Sequence, residues 1–187
     1  SDVCSSDLDL VHAIIDANFQ KAKELYKQIE PVYPIAITRD FSKAKEWIKQ
    51  RVGITTARYG LMATSKAKRL RTDGIWVECS STPSKWFLSG KDDIKSSFAL
   101  EEVATEFDVQ GLEIDWGIVG WDADYRYSDG EFTCHDFVGS KWINIKNEYD
   151  KRYTKNAYRV VLTRSRQGRS EEHTSELQSH SFISYAV

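Results

Sequence analysis

Apolar positions along the chain change their period several times, and each change marks an element. In "LVHAIIDANFQKAKELYKQIE", Val11, Ile14, Ile15, Ala22, Leu25 and Ile29 keep the spacing of one amphipathic helix, which Pro31 and Pro34 end. The run Ile35-Ala36-Ile37 in "YPIAITRD" reads as a buried strand. "FSKAKEWIKQRV" returns to helical spacing, with Trp47, Ile48 and Val52 on its apolar side and Ser42 as the expected cap. "YGLMATS" predicts a second strand, "EEVATEF" a third and "WGIVGWDAD" a fourth, the most hydrophobic of them. Between the second and third, Lys66 to Ser97 is mixed, with turns around Gly74, Pro83 and Gly90. "SDGE" predicts the turn of a hairpin that continues through "FTCHDFVG". "NEYDKRYTKNAYRVVLTRSRQG" predicts a final helix with Tyr149, Tyr153, Ala157, Val160 and Val161 on or near one side.

This order predicts one α/β domain, a mostly parallel sheet flanked by helices. Ligands of such sheets bind beyond the carboxyl ends of the strands. Three clusters are expected there: Arg39 after "IAIT", Gln110-Gly111-Leu112-Glu113 after "VATEF", and Asp122 with Asp124 after "GIVGW".

The two ends of the chain follow none of this patterning. Arg169 to Ser175 can be written AGA TCG GAA GAG CAC ACG TCT, with GA opening the next codon. Its reverse complement, TCA GAC GTG TGC TCT TCC GAT CT, translates as Ser1 to Leu8. The oligonucleotide resembles a common sequencing-library adapter, and Ile183 to Val187 resembles its continuation in the same frame. Residues 1–8 and 169–187 are therefore expected to be translated adapter, the second stretch disordered, and residues 9–168 to be a domain truncated at both ends. Setting aside Arg169, Asp2, Asp7, Glu171, Glu172 and Glu176 moves the formal charge from −2 to +2, which permits an anionic partner without requiring one. Cys79 and Cys134 remain, without CxxC spacing, and imply a reducing compartment, the cytoplasm. No apolar run is long enough to cross a membrane.

Several residues have chemistry worth placing. "TSKAKRLR" gathers Lys66, Lys68, Arg69 and Arg71, which suit either phosphate contacts or a solvated helix face. Trp76, Trp86, Trp116, Trp121 and Trp142 suit base stacking, but most are expected in the core, Trp116 and Trp121 above all. Trp86 and Trp142 are expected to be more exposed and so better placed for base stacking. Asp122 and Asp124 share a side of an extended chain and have the chemistry for Mg²⁺, although a turn cap paired with Arg126 is the favoured reading. "CHD" lacks further zinc-ligand spacing.

The ordered set of motifs adds a family. "IAITRDFSKAKEWI", "QGLEID" and "YRVVLTRSR" resemble motifs IV, V and VI of superfamily-one helicases. With "RYGLMATSKAKRLR" and "KWFLSGKDDIKSSFALEEVATEFDVQGLEIDW", they resemble the schlafen-type DNA/RNA helicase domain over nearly all of residues 9–168. The resemblance implies a RecA-like fold, the second lobe of a P-loop NTPase, with ATP and Mg²⁺ held between it and a first lobe. It implies that Arg164 and Arg39 are arginine fingers, whose planar fork takes two phosphate oxygens without deprotonating. Glu113 would accept a hydrogen bond from the nucleotide sugar, Gln110 and Gly111 would shape the coupling loop, and Thr105 would contact the nucleic-acid backbone. Lys66, Lys68 and Arg69 join Thr105 as candidate contacts to DNA or RNA.

No GxxxxGK[ST] occurs between Asp9 and Gly168, so the N-terminal RecA-like lobe of the same protein is expected upstream, and this chain alone is expected not to turn over ATP. The resemblance also implies a further apolar strand beyond Gly168, whose loss would leave an unpaired sheet edge. The alternative is a non-catalytic nucleic-acid-binding or regulatory module of the same shape, which would bind independently of nucleotide.

Overall fold

Two helices, not one, begin the chain in the computed structural model, which describes residues 3–31, 33–77, 82–165 and 181–186. Helix α1 spans Val3–Ile15 and α2 spans Phe19–Ile29. Between them Ala17 adopts a left-handed φ of 57°. Asn18 then caps α2, its Oδ1 accepting the Lys21 N–H at 3.2 Å. The apolar spacing carries across the break because both helices pack on each other through Leu10, Ala13, Ile14, Ala22 and Ile29.

Strand β1, Ile35–Thr38, leads into α3, Phe41–Val52. The cap of α3 is Asp40 rather than Ser42: Asp40 is extended and its Oδ1 accepts the Lys43 N–H at 3.2 Å, whereas Ser42 already lies inside the first turn. Strands β2 (Tyr59–Ala63), β3 (Val103–Ala104) and β4 (Trp116–Trp121) form the parallel heart of the sheet, with β2 between the other two. Side chains alternate between two cores, as a strand buried on both faces requires. Leu61, Ala63 and Ile118 pack with Ala44, Ile48 and Val52 of α3. Met62, Val119 and Trp121 pack on the opposite face with Val11 and Ile15 of α1.

The short α4, Pro83–Leu88, holds Trp86, which is fully buried rather than exposed. Gly60 of β2 makes room for it: a Cβ there would meet Trp86 Cζ2 at 2.5 Å. The indole N–H finds a partner in the Glu102 carbonyl at 3.2 Å. Trp76, by contrast, is 55% exposed.

After β4 the chain makes a separate antiparallel sheet of β5 (Tyr125–Ser128), β6 (Glu131–Val138) and β7 (Lys141–Asn144). Asp129 and Gly130, both at positive φ, form the two-residue turn anticipated at "SDGE". Helix α5, Glu148–Leu162, then crosses the face already covered by α1, burying Tyr158, Val161 and Leu162 in the shared core.

Strand β8, Ser181–Ala186, completes the larger sheet, in the order β1-β8-β4-β2-β3. It runs antiparallel to both neighbours, and Ser184 pairs with Ala36 on one side and Ile118 on the other. The tail was expected to be disordered; of it, residues 181–186 form this strand, and residues 169–180 and 187 lie outside the described residues. β1 and β4 each offer an open row of backbone donors and acceptors, and one strand laid between them satisfies both. Cys79 lies outside the described residues.

Candidate functional site

The parallel strands give the sheet two chemically distinct ends. At the amino-terminal end, Asp115 and Trp116 donate their backbone N–H groups to the Arg58 carbonyl at 3.0 and 2.9 Å. The Arg58 N–H in turn reaches Asp115 Oδ2 at 2.7 Å. One residue earlier, Ile114 donates to the Arg164 carbonyl at 3.0 Å and forms a parallel bridge with Ser165. The loop carrying Gln110, Gly111 and Glu113 therefore ends against the residue that follows α5. Gly111 is exposed, with φ of +78° and no atom within 4 Å of where a Cβ would stand. Glu113 is exposed. Arg164 is half-buried and folds back on its own helix, Nε donating to the Val160 carbonyl at 3.2 Å and an Nη to Thr163 Oγ1 at 3.2 Å. Burial lowers its pKa from the ordinary arginine value.

Residues 110–113 were expected beyond the carboxyl ends of the strands, and they lie at the opposite end. β3 and β4 are both parallel to β2, so the connection between them must return across the sheet before β4 begins. Residues 105–115 are that return.

The carboxyl end gathers the other candidates. Thr38 and Gly120 both pair with Phe182, so Arg39, one residue on, stands at this end and is exposed. From the Ile114 bridge to the level of Gly120 is roughly 20 Å of strand. Arg39 is therefore not brought to Arg164 and Glu113. It shares its end of the sheet with Thr105, Lys66, Lys68 and Arg69, which follow β3 and β2. The buried Thr105 donates both its N–H and its hydroxyl to Asp108 Oδ2 at 2.8 Å. Lys66 pairs with Asp136 at 3.0 Å, and Lys68 is exposed. The Arg69 backbone N–H donates to Asp122 Oδ2 at 2.9 Å.

Beneath this end lie two polar knots. Glu106, buried after β3, accepts from Ser65 N at 2.8 Å, Ser65 Oγ at 2.7 Å and the Tyr153 hydroxyl at 2.7 Å. Asp122 and Asp124 are buried after β4. Asp124 accepts from Thr64 Oγ1 at 3.2 Å and from the Tyr158 hydroxyl, and Asp122 Oδ1 accepts the Ala123 N–H at 2.7 Å. Arg126, the expected partner of this pair, instead lies over the Trp142 ring at 6.0 Å. Sequence reading passed over Glu106 and Thr64. The available signal was a carboxylate directly after one short strand and a Thr-Ser pair directly after another.

The architecture is that of a RecA-like α/β lobe, with helices on both faces of a parallel core and loops of distinct chemistry at each sheet end. The chain matches the family described as Schlafen group 3, DNA/RNA helicase domain, over residues 5–169, and it belongs to that family. The match takes in all five helices, α1 only from residue 5, and stops short of β8. No curated protein and no solved structure matches the chain. No helix among the described residues is long and apolar enough to cross a membrane.

Proposed function

We propose that this chain is the second lobe of an ATP-dependent DNA or RNA helicase or translocase, working with nucleotide at one sheet end and nucleic acid at the other. The observation that carries the reading is the junction of the Gln110–Glu113 loop with Arg164 through the 3.0 Å hydrogen bond from Ile114. It holds a potential hydroxyl acceptor, Glu113, one residue before the donor of a fixed backbone contact, and a permanent cation, Arg164, on the residue that accepts it.

The residues fit half of a nucleotide site. Arg164 keeps its charge despite partial burial, since guanidinium deprotonates only far above neutral pH. To reach a phosphate it must exchange the Val160 carbonyl and Thr163 hydroxyl for phosphate oxygens. Those two contacts hold the side chain until a better acceptor arrives. Glu113 offers a carboxylate to a sugar hydroxyl, and Gly111 leaves the space beside the loop open. ATP and Mg²⁺, held mainly by a first lobe in the longer protein, would supply the phosphoryl group whose charge Arg164 neutralises.

Arg39 belongs, in this reading, to the nucleic-acid end with Thr105, Lys66, Lys68 and Arg69. This revises its role as a second finger, because a triphosphate does not span the roughly 20 Å of strand between the two ends. The test is nucleic-acid-stimulated phosphate release by the longer protein that joins this domain to a phosphate-binding lobe. Stimulated turnover supports the motor. Salt-sensitive nucleic-acid binding indifferent to nucleotide, with no turnover, supports a non-catalytic module instead.

A further inference from the structure

We infer that the outer face of the β5-β6-β7 sheet, beside the Lys68–Asp73 3-10 turn, is a stacking site for unpaired bases of single-stranded nucleic acid. The inference rests on the reading of the carboxyl end as the nucleic-acid end.

Alternation along β6 sorts the side chains. Phe132 and Cys134, with Tyr125 opposite Cys134, face inward and join the core under α5. The intervening positions, His135 and Phe137 with their β5 and β7 neighbours Arg126 and Trp142, fall on the other face. Phe137 and Trp142 are directly paired across strands, ring centroids 5.1 Å apart and tilted by 60°. Neither ring is fully buried. Two guanidinium groups attend them: Arg69 stands 5.5 Å from the Phe137 ring and Arg126 6.0 Å from the Trp142 ring.

Together Arg69, Arg71, Thr72, Phe137, Ser140 and Trp142 line a cleft of about 310 Å³. That volume sits at the low end of small-ligand sites, suited to a group the size of a base. Arg71 and Thr72 are exposed at its rim. The nearest carboxylate on β6, Asp136, falls on the opposite face by alternation and is taken by Lys66 at 3.0 Å. Asp73 at the rim accepts from Thr72 Oγ1 at 3.2 Å, and the lining itself carries two arginines and two aromatic rings. An apolar peptide would leave the arginines unanswered, and a bare phosphate the rings. A nucleotide answers both, its base on the rings and its phosphate on the guanidinium groups. Bases inside a duplex present no free face, so the site selects single strands. It is tied to the carboxyl end through the Arg69 N–H on Asp122.

The test measures binding of a single-stranded oligonucleotide carrying a fluorescent adenine analogue, quenched on stacking, to the full chain, as DNA and as RNA, with the matching duplex alongside. The wild type is expected to quench the analogue and to bind the single strand more tightly than the duplex. Trp142→Ala is expected to weaken single-strand binding by roughly 5- to 150-fold and abolish the quench, with Trp142→Phe restoring most of both. Arg71→Glu, at an exposed side chain that leaves folding intact, is expected to weaken binding and reduce its salt dependence. Unchanged affinity and quench in both the Trp142→Ala and Arg71→Glu proteins would overturn the stacking site while leaving the nucleic-acid end standing. Absence of any binding by the wild-type chain would overturn both.

Discussion

The Tyr158 hydroxyl donates to the Asp124 carboxyl, joining the middle of α5 to the segment that leaves β4. Both side chains are completely buried. Asp122 adds its backbone N–H to the same phenol oxygen at 3.1 Å. Helix α5 begins near the carboxyl end of the sheet and finishes beside Arg164, so this contact fixes the helix that links the two candidate ends.

Burial and the neighbouring Asp122 push the Asp124 carboxyl up to about 8. The folded protein therefore holds a proton that the unfolded chain releases near the ordinary value of 3.8. Between those limits the native state binds more protons than the unfolded state, so this group's contribution to stability falls as pH rises. The wild-type melting temperature, relative to that of Asp124→Asn, is expected to decline from about pH 4 to about pH 8. Parallel melting profiles for the two proteins across that range would show that the carboxyl is not the source.

Gly60→Ala should be among the most damaging single-methyl changes in the sheet. The added carbon meets Trp86 Cζ2 at 2.5 Å and Ser97 Cβ at 3.0 Å. Overpacking of this kind costs about 1–3 kcal/mol. Denaturant unfolding of Gly60→Ala, Trp86→Phe and the double variant tests the contact. The double variant is expected to be more stable than the sum of the single losses predicts, and strict additivity would contradict the steric account.

Glu106→Ala removes the shared acceptor from three partly buried donors of Ser65 and Tyr153. The expected loss is about 1–3 kcal/mol for each group left unsatisfied, softened wherever water enters. Glu106→Gln retains one acceptor oxygen and is expected to fall between. Equilibrium unfolding orders the three proteins, and a Gln variant as weak as Ala would argue that the charge, not the acceptor count, matters.

In a protein that joins this domain to a phosphate-binding lobe, the roles proposed for Arg164 and Arg39 should separate kinetically. Arg164→Ala is expected to lower turnover by roughly 10³–10⁵ with nucleic-acid affinity little changed. Arg39→Ala is expected to weaken nucleic-acid binding and flatten its salt dependence by about one contact, with turnover at saturating nucleic acid retained. A comparable collapse of turnover in both variants would restore Arg39 to the nucleotide.

The central strands were legible because β2 and β4 are continuous apolar runs, buried on both faces. The break between α1 and α2 was not, since neither Ala17 nor Asn18 disturbs the apolar spacing on which a helix is read. Burial of Trp86 depends on Gly60, distant in sequence, and no local pattern reports a vacancy in another strand. Motif order aligned Arg39, Glu113 and Arg164 along the chain but is silent on which end of a strand each occupies. That required the pairing register of β4 with Ile114, Ser165 and Phe182. The polar knots were hidden for the same reason: Glu106 and Tyr153 meet only once β3 and α5 are assembled.

Strand β8 comes last in the chain yet lies second in the sheet. Its neighbour β1 belongs to the first quarter of the polypeptide and, among the described residues, pairs with no other strand. Every ladder hydrogen bond that ties β1 to the rest of the sheet therefore passes through β8. β2, by contrast, is held on both edges by parallel neighbours, β3 and β4. Taking β8 out would isolate β1 and bare one edge of β4, so the sheet divides at β8 into a self-paired parallel block and a strand that is only lent to it.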